Sequence, residues 1–216
     1  MTHHFHSVEQ PAETGGNLIR WAPYYDLVTN VMTLGQAGRL RKVTADLALI
    51  KPGDSVLDVG CGTGEVTLRA KMCAKNGNVY GIDPAPEMIN VARQKAARKR
   101  LDIDFRVGVI EALPFPDASI DVVTSSLMMH HLPEDLKARG LAEIYRVLKP
   151  GGRLLIADFM RPTGSFLNHL FIAFTRHHGL QKGIEDLRFL MTNAGFDQIT
   201  LLNEKVLVIG FVRAVK

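Results

Sequence analysis

The sequence predicts an α/β fold: a doubly wound, seven-stranded sheet, mostly parallel, closed by an antiparallel C-terminal hairpin. Three observations carry that expectation. Short apolar runs at residues 56–59, 79–82, 103–107, 120–126 and 153–158 alternate with longer segments of helical period, the pattern of parallel strands covered by helices. The stretch Val56-Leu-Asp-Val-Gly-Cys-Gly-Thr-Gly-Glu65 runs from a buried strand through three glycines into a helix. The last two apolar runs, 196–202 and 206–215, have no helix between them and therefore pair antiparallel.

Size and composition agree with one such sheet. At 216 residues the chain suits a single domain with helices on both faces, with residues 1–16 as a disordered polar tail and 17–216 as the domain. The apolar fraction is 46% and the charged fraction 22%, the balance of a globular protein. No apolar run approaches the ~20 residues that span a bilayer, and the first sixteen residues lack the apolar core of a secretion signal. Cys61 and Cys73 sit at no metal-ligand spacing, and one lies inside the glycine turn, so a reducing cytoplasm is expected and a disulfide framework is not. The net charge of +4 suits an acidic partner, either nucleic acid or an anionic membrane surface.

Taken in order, residues 17–42 carry Trp21, Tyr24, Tyr25, Leu27, Val28, Val31, Met32 and Leu34, a stripe that either covers a ligand as a lid or packs as a helix on the core. Leu40, Val43, Leu47 and Ile50 recur at helical spacing, and Lys51-Pro-Gly53 ends that helix. After the glycine turn, a second helix carries Val66, Ala70 and Cys73 inward and stops at Asn76-Gly77. A third, over residues 86–100, buries Met88, Val91, Ala92 and Ala96. Its Arg93, Lys95, Arg98, Lys99 and Arg100 form a solvated face that complements the helix dipole. The fourth strand ends at Ser126, and Leu127-Met-Met-His-His-Leu-Pro133 follows it. A helix over 134–148 closes with Lys149-Pro-Gly-Gly152 before the fifth strand. Residues 159–182 present a broad apolar face through Phe166, Leu167, Leu170, Phe171, Ala173 and Phe174, and a last helix spans 185–194.

The chemistry gathers at the glycine turn. Gly60, Gly62 and Gly64 carry no Cβ, so the backbone turns sharply and presses against a ligand, while N–H groups of the following helix face an anionic or hydroxylated group. Asp58, two positions before the first glycine, discriminates between ligands. A carboxylate there repels the pyrophosphate of a dinucleotide and suits an ammonium and a sulfonium. Asp83, about 20 residues beyond the turn at the end of the second strand, is placed to accept hydrogen bonds from both ribose hydroxyls. That second device serves either kind of nucleoside ligand.

The pattern apolar-apolar-Asp-x-Gly-x-Gly-x-Gly resembles the first motif of class I S-adenosylmethionine-dependent methyltransferases. Arg146-Val-Leu-Lys-Pro-Gly-Gly-Arg-Leu-Leu-Ile-Ala-Asp-Phe159 is a second similar segment. Tyr25-Asp-Leu-Val-Thr-Asn-Val-Met-Thr-Leu-Gly35 resembles the N-terminal lid of the ubiquinone/menaquinone C-methyltransferase branch, placing a lid at residues 17–42. The resemblance covers residues 25–216 and is strongest over 57–159. It implies a Rossmann-like fold, S-adenosyl-L-methionine as cofactor, and cofactor-binding positions at Asp58, Gly60, Gly62, Thr63, Gly64, Asp83, Met88, Val109, Ile110 and Ser126. Gly108-Val-Ile-Glu-Ala-Leu-Pro-Phe115 departs from the family's Gly-Asp-Ala-Glu-x-Leu-Pro-Phe element. Val109 stands where a polar residue usually holds the adenine amino group, which leaves backbone groups and apolar stacking by Val109 to hold the base. Residues 159–182 fall where related enzymes carry a substrate-pocket insertion; the longer insertion of the quinone methyltransferases is missing.

The resemblance further implies direct methyl transfer, in which a nucleophile attacks the sulfonium methyl in line. The enzyme then contributes mainly alignment and exclusion of water, with a base needed only if the nucleophile must lose a proton. His130, directly after the central strand, is the candidate base because imidazole titrates near neutral pH; the alternative is that the His130-His131 pair caps a helix or fixes a loop. Tyr25 of the lid is the second catalytic candidate. No metal is expected, since no carboxylate cluster accompanies the histidines. The apolar, aromatic segments favour a small lipophilic acceptor: a quinone, a phospholipid headgroup on its lipid, or a polyketide-like product. Apolar residues beside Arg39, Arg41 and Lys42, and beside Arg176, His177 and His178, suit peripheral contact with a membrane surface. Arsenite methylation is not expected with two cysteines. Nucleic-acid methylation is the alternative substrate class, disfavoured because the basic residues are not interleaved with aromatics. A non-catalytic, cofactor-binding regulatory partner is a third reading.

Overall fold

The structure is a computed structural model and describes residues 29–31, 33–161 and 183–216. Tyr25, Trp21 and the apolar residues of 166–174 lie outside the described residues. One seven-stranded sheet organises the rest, in the order β3-β2-β1-β4-β5-β7-β6. Its strands are β1 (Val56–Val59), β2 (Val79–Asp83), β3 (Asp104–Val107), β4 (Ile120–Ser126), β5 (Leu148–Phe159), β6 (Asp197–Leu201) and β7 (Ile209–Val215). The first five pair in parallel, and β7 runs antiparallel to both β5 and β6. The mixed sheet predicted from the sequence is the one observed.

The two faces of the sheet follow strand parity. From β1, Val56 packs on the side covered by α1 (Ala37–Leu47) and α2 (Glu65–Ala74). Leu57 and Val59 pack on the opposite side with α4 (Glu134–Val147) and α5 (Leu187–Asn193). Burying a side chain such as Leu57 or Ile144 completely is worth about 1.5–3 kcal/mol, and both are fully buried, so the two apolar layers hold the sheet edge rigid. α3 (Pro86–Lys99) sets Ile89, Ala92 and Ala96 against Leu68 of α2 and Phe105 of β3.

By the same parity Asp58 shares a side with Val56, and so faces α2. It pairs in register with Gly81 and Thr124. The chain reverses its strand order between β1 and β4, which opens a crevice at the carboxyl ends of the strands, where such sheets bind ligands.

Several local expectations differ from what forms. α2 buries Thr67 completely, while Cys73 is only half-buried; the inward face is rotated so that a hydroxyl meets Asp58. Ile89 takes the buried place expected of Val91 on α3. The basic face of α3 is not wholly solvated. Arg93 donates to the Phe105 carbonyl from Nε at 3.1 Å and Nη2 at 2.6 Å, and Lys95 reaches the glycine turn. α4 stops at Val147, and Leu148 already pairs with Ile120. The register then shifts so that Val122 meets Arg153, the extra residues being taken up where Gly151 has φ +74°. The expected 185–194 helix is a 3₁₀ turn at Ile184–Asp186 followed by α5. The Asp186 carboxylate accepts the Gly183 N–H at 2.9 Å there.

Candidate active site

The glycine turn is shaped mostly by its own backbone. The N–H groups of Gly60 and Cys61 both donate to the Ile82 carbonyl at 2.9 Å, and Gly64 donates to Cys61 at 2.9 Å. Two positions require glycine. At Gly60, φ is +70° and a Cβ would run into the Met128 side chain. At Gly64, φ is +81° and a Cβ would lie 2.9 Å from both Ala92 and Phe105, so this glycine lets α2 and α3 close together. Lys95 of α3 ties the turn down, donating to Thr63 Oγ1 at 3.0 Å and to Glu65 Oε1 at 2.8 Å.

Asp58 is the electrostatic centre. It is 1% exposed, and Thr67 and Thr124 donate their hydroxyls to its two oxygens at 2.7 and 2.8 Å. Burial pushes its carboxyl up to about 6; the hydrogen bonds of Thr67 and Thr124 oppose the rise, and the Asp83 charge adds to it. The cost of burying this group is therefore only partly offset within the protein, which leaves it demanding a positive ligand. Asp83 accepts the Gly62 N–H at Oδ2 and the Ala85 N–H at Oδ1, each at 2.9 Å. Its pKa is raised by burial against those two bonds, and each oxygen keeps a lone pair for a further donor. Burial, with the charges of Asp83 and Asp58, also holds the Cys61 thiol well above its ordinary value, so Cys61 is a neutral wall of the site and no nucleophile.

Asp58, Gly60, Gly62, Thr63 and Ser126 line one cleft, together with Arg41 of α1, Glu65 and Leu127. Leu127 has φ +55°, an uncommon conformation for a branched residue and one that clusters at functional sites. Gly64 lies behind the turn, and Asp83 reaches the cleft through Gly62. Met88 is buried beside Ala85 and Val91, below the Asp83 loop. Val109 is half-buried beyond the end of β3. Ile110 is 5% exposed and belongs to the main core, filling the space left by Gly140 of α4. Its side chain is thus turned away from the cleft, and only its backbone is left to meet a ligand.

His130 stands apart from this cleft, in a 3₁₀ turn, Met129–His131, after β4. Its Nδ1 is 2.7 Å from Asp158 Oδ1, and its own N–H donates to Asp158 Oδ2 at 3.1 Å. Asp158, buried at the end of β5, also accepts the Phe159 N–H at 2.8 Å. A carboxylate accepts only, so Nδ1 carries the proton and Nε2 is the nitrogen left to accept one. The ring packs on His131 at 3.9 Å and edge-on to Phe159 at 4.8 Å between centroids. Sequence reasoning missed Asp158, Thr67, Thr124 and Arg41. Parity was the available signal for Thr124, which sits two residues before Ser126 on the same side of β4. Asp158 was visible as an acid closing the strand next to β4.

Comparison with known proteins agrees with this arrangement. Residues 56–152 match the methyltransferase domain family. The demethylmenaquinone methyltransferase of Deinococcus radiodurans is 38% identical over 156 residues, covering 72% of this chain but only 64% of that relative's length. The demethylmenaquinone methyltransferase of Lactobacillus johnsonii is 34% identical over 203 residues, covering 89% of this chain and 82% of the relative. A solved SAM-dependent methyltransferase from Aquifex aeolicus matches with a TM-score of 0.68 at 22% identity, covering 87% of this chain and 97% of its own; at that identity the likeness is one of fold. A glycine turn preceded by a buried acid, on this sheet and with these relatives, places the chain: it belongs to the class I S-adenosylmethionine-dependent methyltransferases and resembles their ubiquinone/menaquinone C-methyltransferase branch.

Proposed function

We propose that residues 17–216 act as one methyltransferase domain that binds S-adenosyl-L-methionine at the carboxyl ends of β1, β2 and β4 and methylates a small lipophilic acceptor. The observation that carries the reading is Asp58, a buried acid with a raised pKa beside a glycine-walled cleft. The site fits a ligand with a cationic end and a ribose. Asp58 is matched to the cation and Asp83 to the hydroxyls, and the glycines leave room for close approach. When bound, the cofactor supplies an activated methyl group on its sulfonium.

The chain's own residues then have two tasks. Asp58, Asp83 and the glycine turn hold the cofactor in one orientation, so that its methyl points at the acceptor in line. His130, with Nδ1 engaged by Asp158, presents Nε2 to take a proton from the acceptor where one must leave. Tyr25 remains a candidate for orienting cofactor or acceptor from the lid. A lipophilic acceptor, with a quinone foremost, is supported by the demethylmenaquinone methyltransferases among the relatives and by the apolar, aromatic composition of residues 17–42 and 159–182.

Titration calorimetry with S-adenosylmethionine and with NAD tests the reading. S-adenosylmethionine is expected to bind tighter, and Asp83→Asn should weaken it by about 1–3 kcal/mol, the worth of hydrogen bonds to a charged group. Tighter binding of NAD would overturn the proposal. Methylation of a demethylmenaquinone analogue, followed by mass spectrometry, tests the acceptor separately.

A further inference from the structure

Among the described residues no cation pairs with Asp58; its two oxygens are met by neutral donors. Thr67, in the first turn of α2, gives its hydroxyl to Oδ2 at 2.7 Å, and Thr124 of β4 gives its own to Oδ1 at 2.8 Å. Both threonines are completely buried. The Thr67 backbone N–H adds a third donor. The remaining flank, β2, offers no side chain, because Gly81 stands beside Asp58 there. The other ionisable groups around Asp58 are Asp83 at the end of β2, the neutral Cys61 thiol of the turn, and Arg41 and Glu65 in the cleft lining.

Hydroxyls in these two places have a chemical consequence. A lysine or arginine in either would neutralise Asp58 and compete with a cationic ligand. A valine of the same shape would leave the buried carboxylate short of donors, and burial then favours its protonated form. A hydroxyl does neither: it supports the negative charge and leaves it uncancelled. A carboxylate has about four lone-pair sites, so with three donors in place it still accepts from a ligand. Given the cofactor reading above, we propose that Thr67 and Thr124 are positioning residues, holding Asp58 ionised and oriented so that the cationic end of S-adenosylmethionine meets a full charge.

The competing role is packing, in which the two hydroxyls only satisfy a buried acid and pin α2 to the sheet. Calorimetry with S-adenosylmethionine at two pH values separates the roles. Thr67→Val and Thr124→Val each remove one hydroxyl with little change in shape. Each is compared with the unsubstituted chain at the same pH, so titration of the ligand itself cancels. Losing a hydrogen bond to a charged group shifts Asp58 toward its protonated form. Each variant should therefore bind roughly 4–40-fold more weakly at about pH 6.5, and within about 2-fold of the unsubstituted chain at about pH 8.5. Thr67→Ser and Thr124→Ser, which keep the hydroxyl, should bind like the unsubstituted chain at both. Weakening by the same factor at both pH values would make the threonines packing residues, and unchanged binding at the lower pH would show that Asp58 stays charged without them; either result overturns the proposal. The two valine variants are independent, so if one fails to fold the other decides. If the unsubstituted chain binds no S-adenosylmethionine at either pH, the cofactor reading itself fails and this proposal with it.

Discussion

At the scale of single residues, Asp58 couples stability to ligand binding. Its carboxyl is raised from 3.8 to about 6 in the folded chain, while the unfolded chain ionises it at the ordinary value. The folded state therefore holds an extra proton between the two values, and the stability that goes with it is lost as pH rises through about 6. At neutral pH the ionised group costs on the order of 3 kcal/mol. Asp58→Asn should accordingly raise unfolding free energy by about 1–3 kcal/mol at about pH 7.5 and by less at about pH 5, measured by urea denaturation. Thr67 and Thr124 hydroxyls can rotate to suit the amide. An equal change at both pH values would mean that Asp58 does not titrate in this range. Binding should show the opposite trend: S-adenosylmethionine affinity in the unsubstituted chain increases as Asp58 ionises, and Asp58→Asn weakens it at neutral pH.

At the scale of elements, the tie between the ends of β4 and β5 holds the ring of His130 in place. The two strands are neighbours in register, Ser126 against Ala157, which carries the turn after β4 directly over Asp158. His130→Ala should reduce turnover by roughly 10²–10⁴-fold with cofactor affinity held, if a proton leaves the acceptor. Asp158→Asn should also lower turnover while sparing cofactor affinity, because the amide N–H can donate to Nδ1 and stabilise the tautomer that leaves Nε2 protonated. Parallel loss of cofactor binding in both variants would assign the pair to holding the turn.

At the scale of the whole molecule, the question is whether a lipophilic acceptor brings the protein to a lipid surface. No described helix is long and apolar enough to cross a membrane. Ahead of α1, Val31 and Leu34 are 65% and 77% exposed, close in sequence to the basic Arg39 and Lys42 and to the aromatic residues 21–25. Exposed apolar side chains beside cations are the composition of an interfacial segment. Cosedimentation should show binding to anionic vesicles at low salt that weakens as salt rises, each basic residue near the surface being worth about 1 kcal/mol, and Leu34→Ser should reduce it. A protein that stays in the supernatant under those conditions works without a membrane surface.

The succession of strands and helices along the chain, the glycine turn, Asp58 and Asp83 were legible in the sequence because each is a local signal. Apolar period separates strand from helix, glycine marks a turn that a Cβ would obstruct, and an acid at a strand's carboxyl end falls at the ligand edge of such a sheet. The partners of those residues were not legible, because they come from distant segments. Thr124 reaches Asp58 across 66 positions and Asp158 reaches His130 across 28, contacts that exist only once β4 lies beside β1 and β5 beside β4. The same holds for Ile110, which reads as a site residue by position and turns into the core because Gly140 of α4 leaves space for it. Arg41 reads as one charge on an amphipathic helix until α1 is laid beside the glycine turn. Local chemistry determined what kind of ligand edge this chain builds; tertiary packing decided which groups surround it, because hydrogen bonds and charge pairing act through space and strand order is not written in any single stretch of chain.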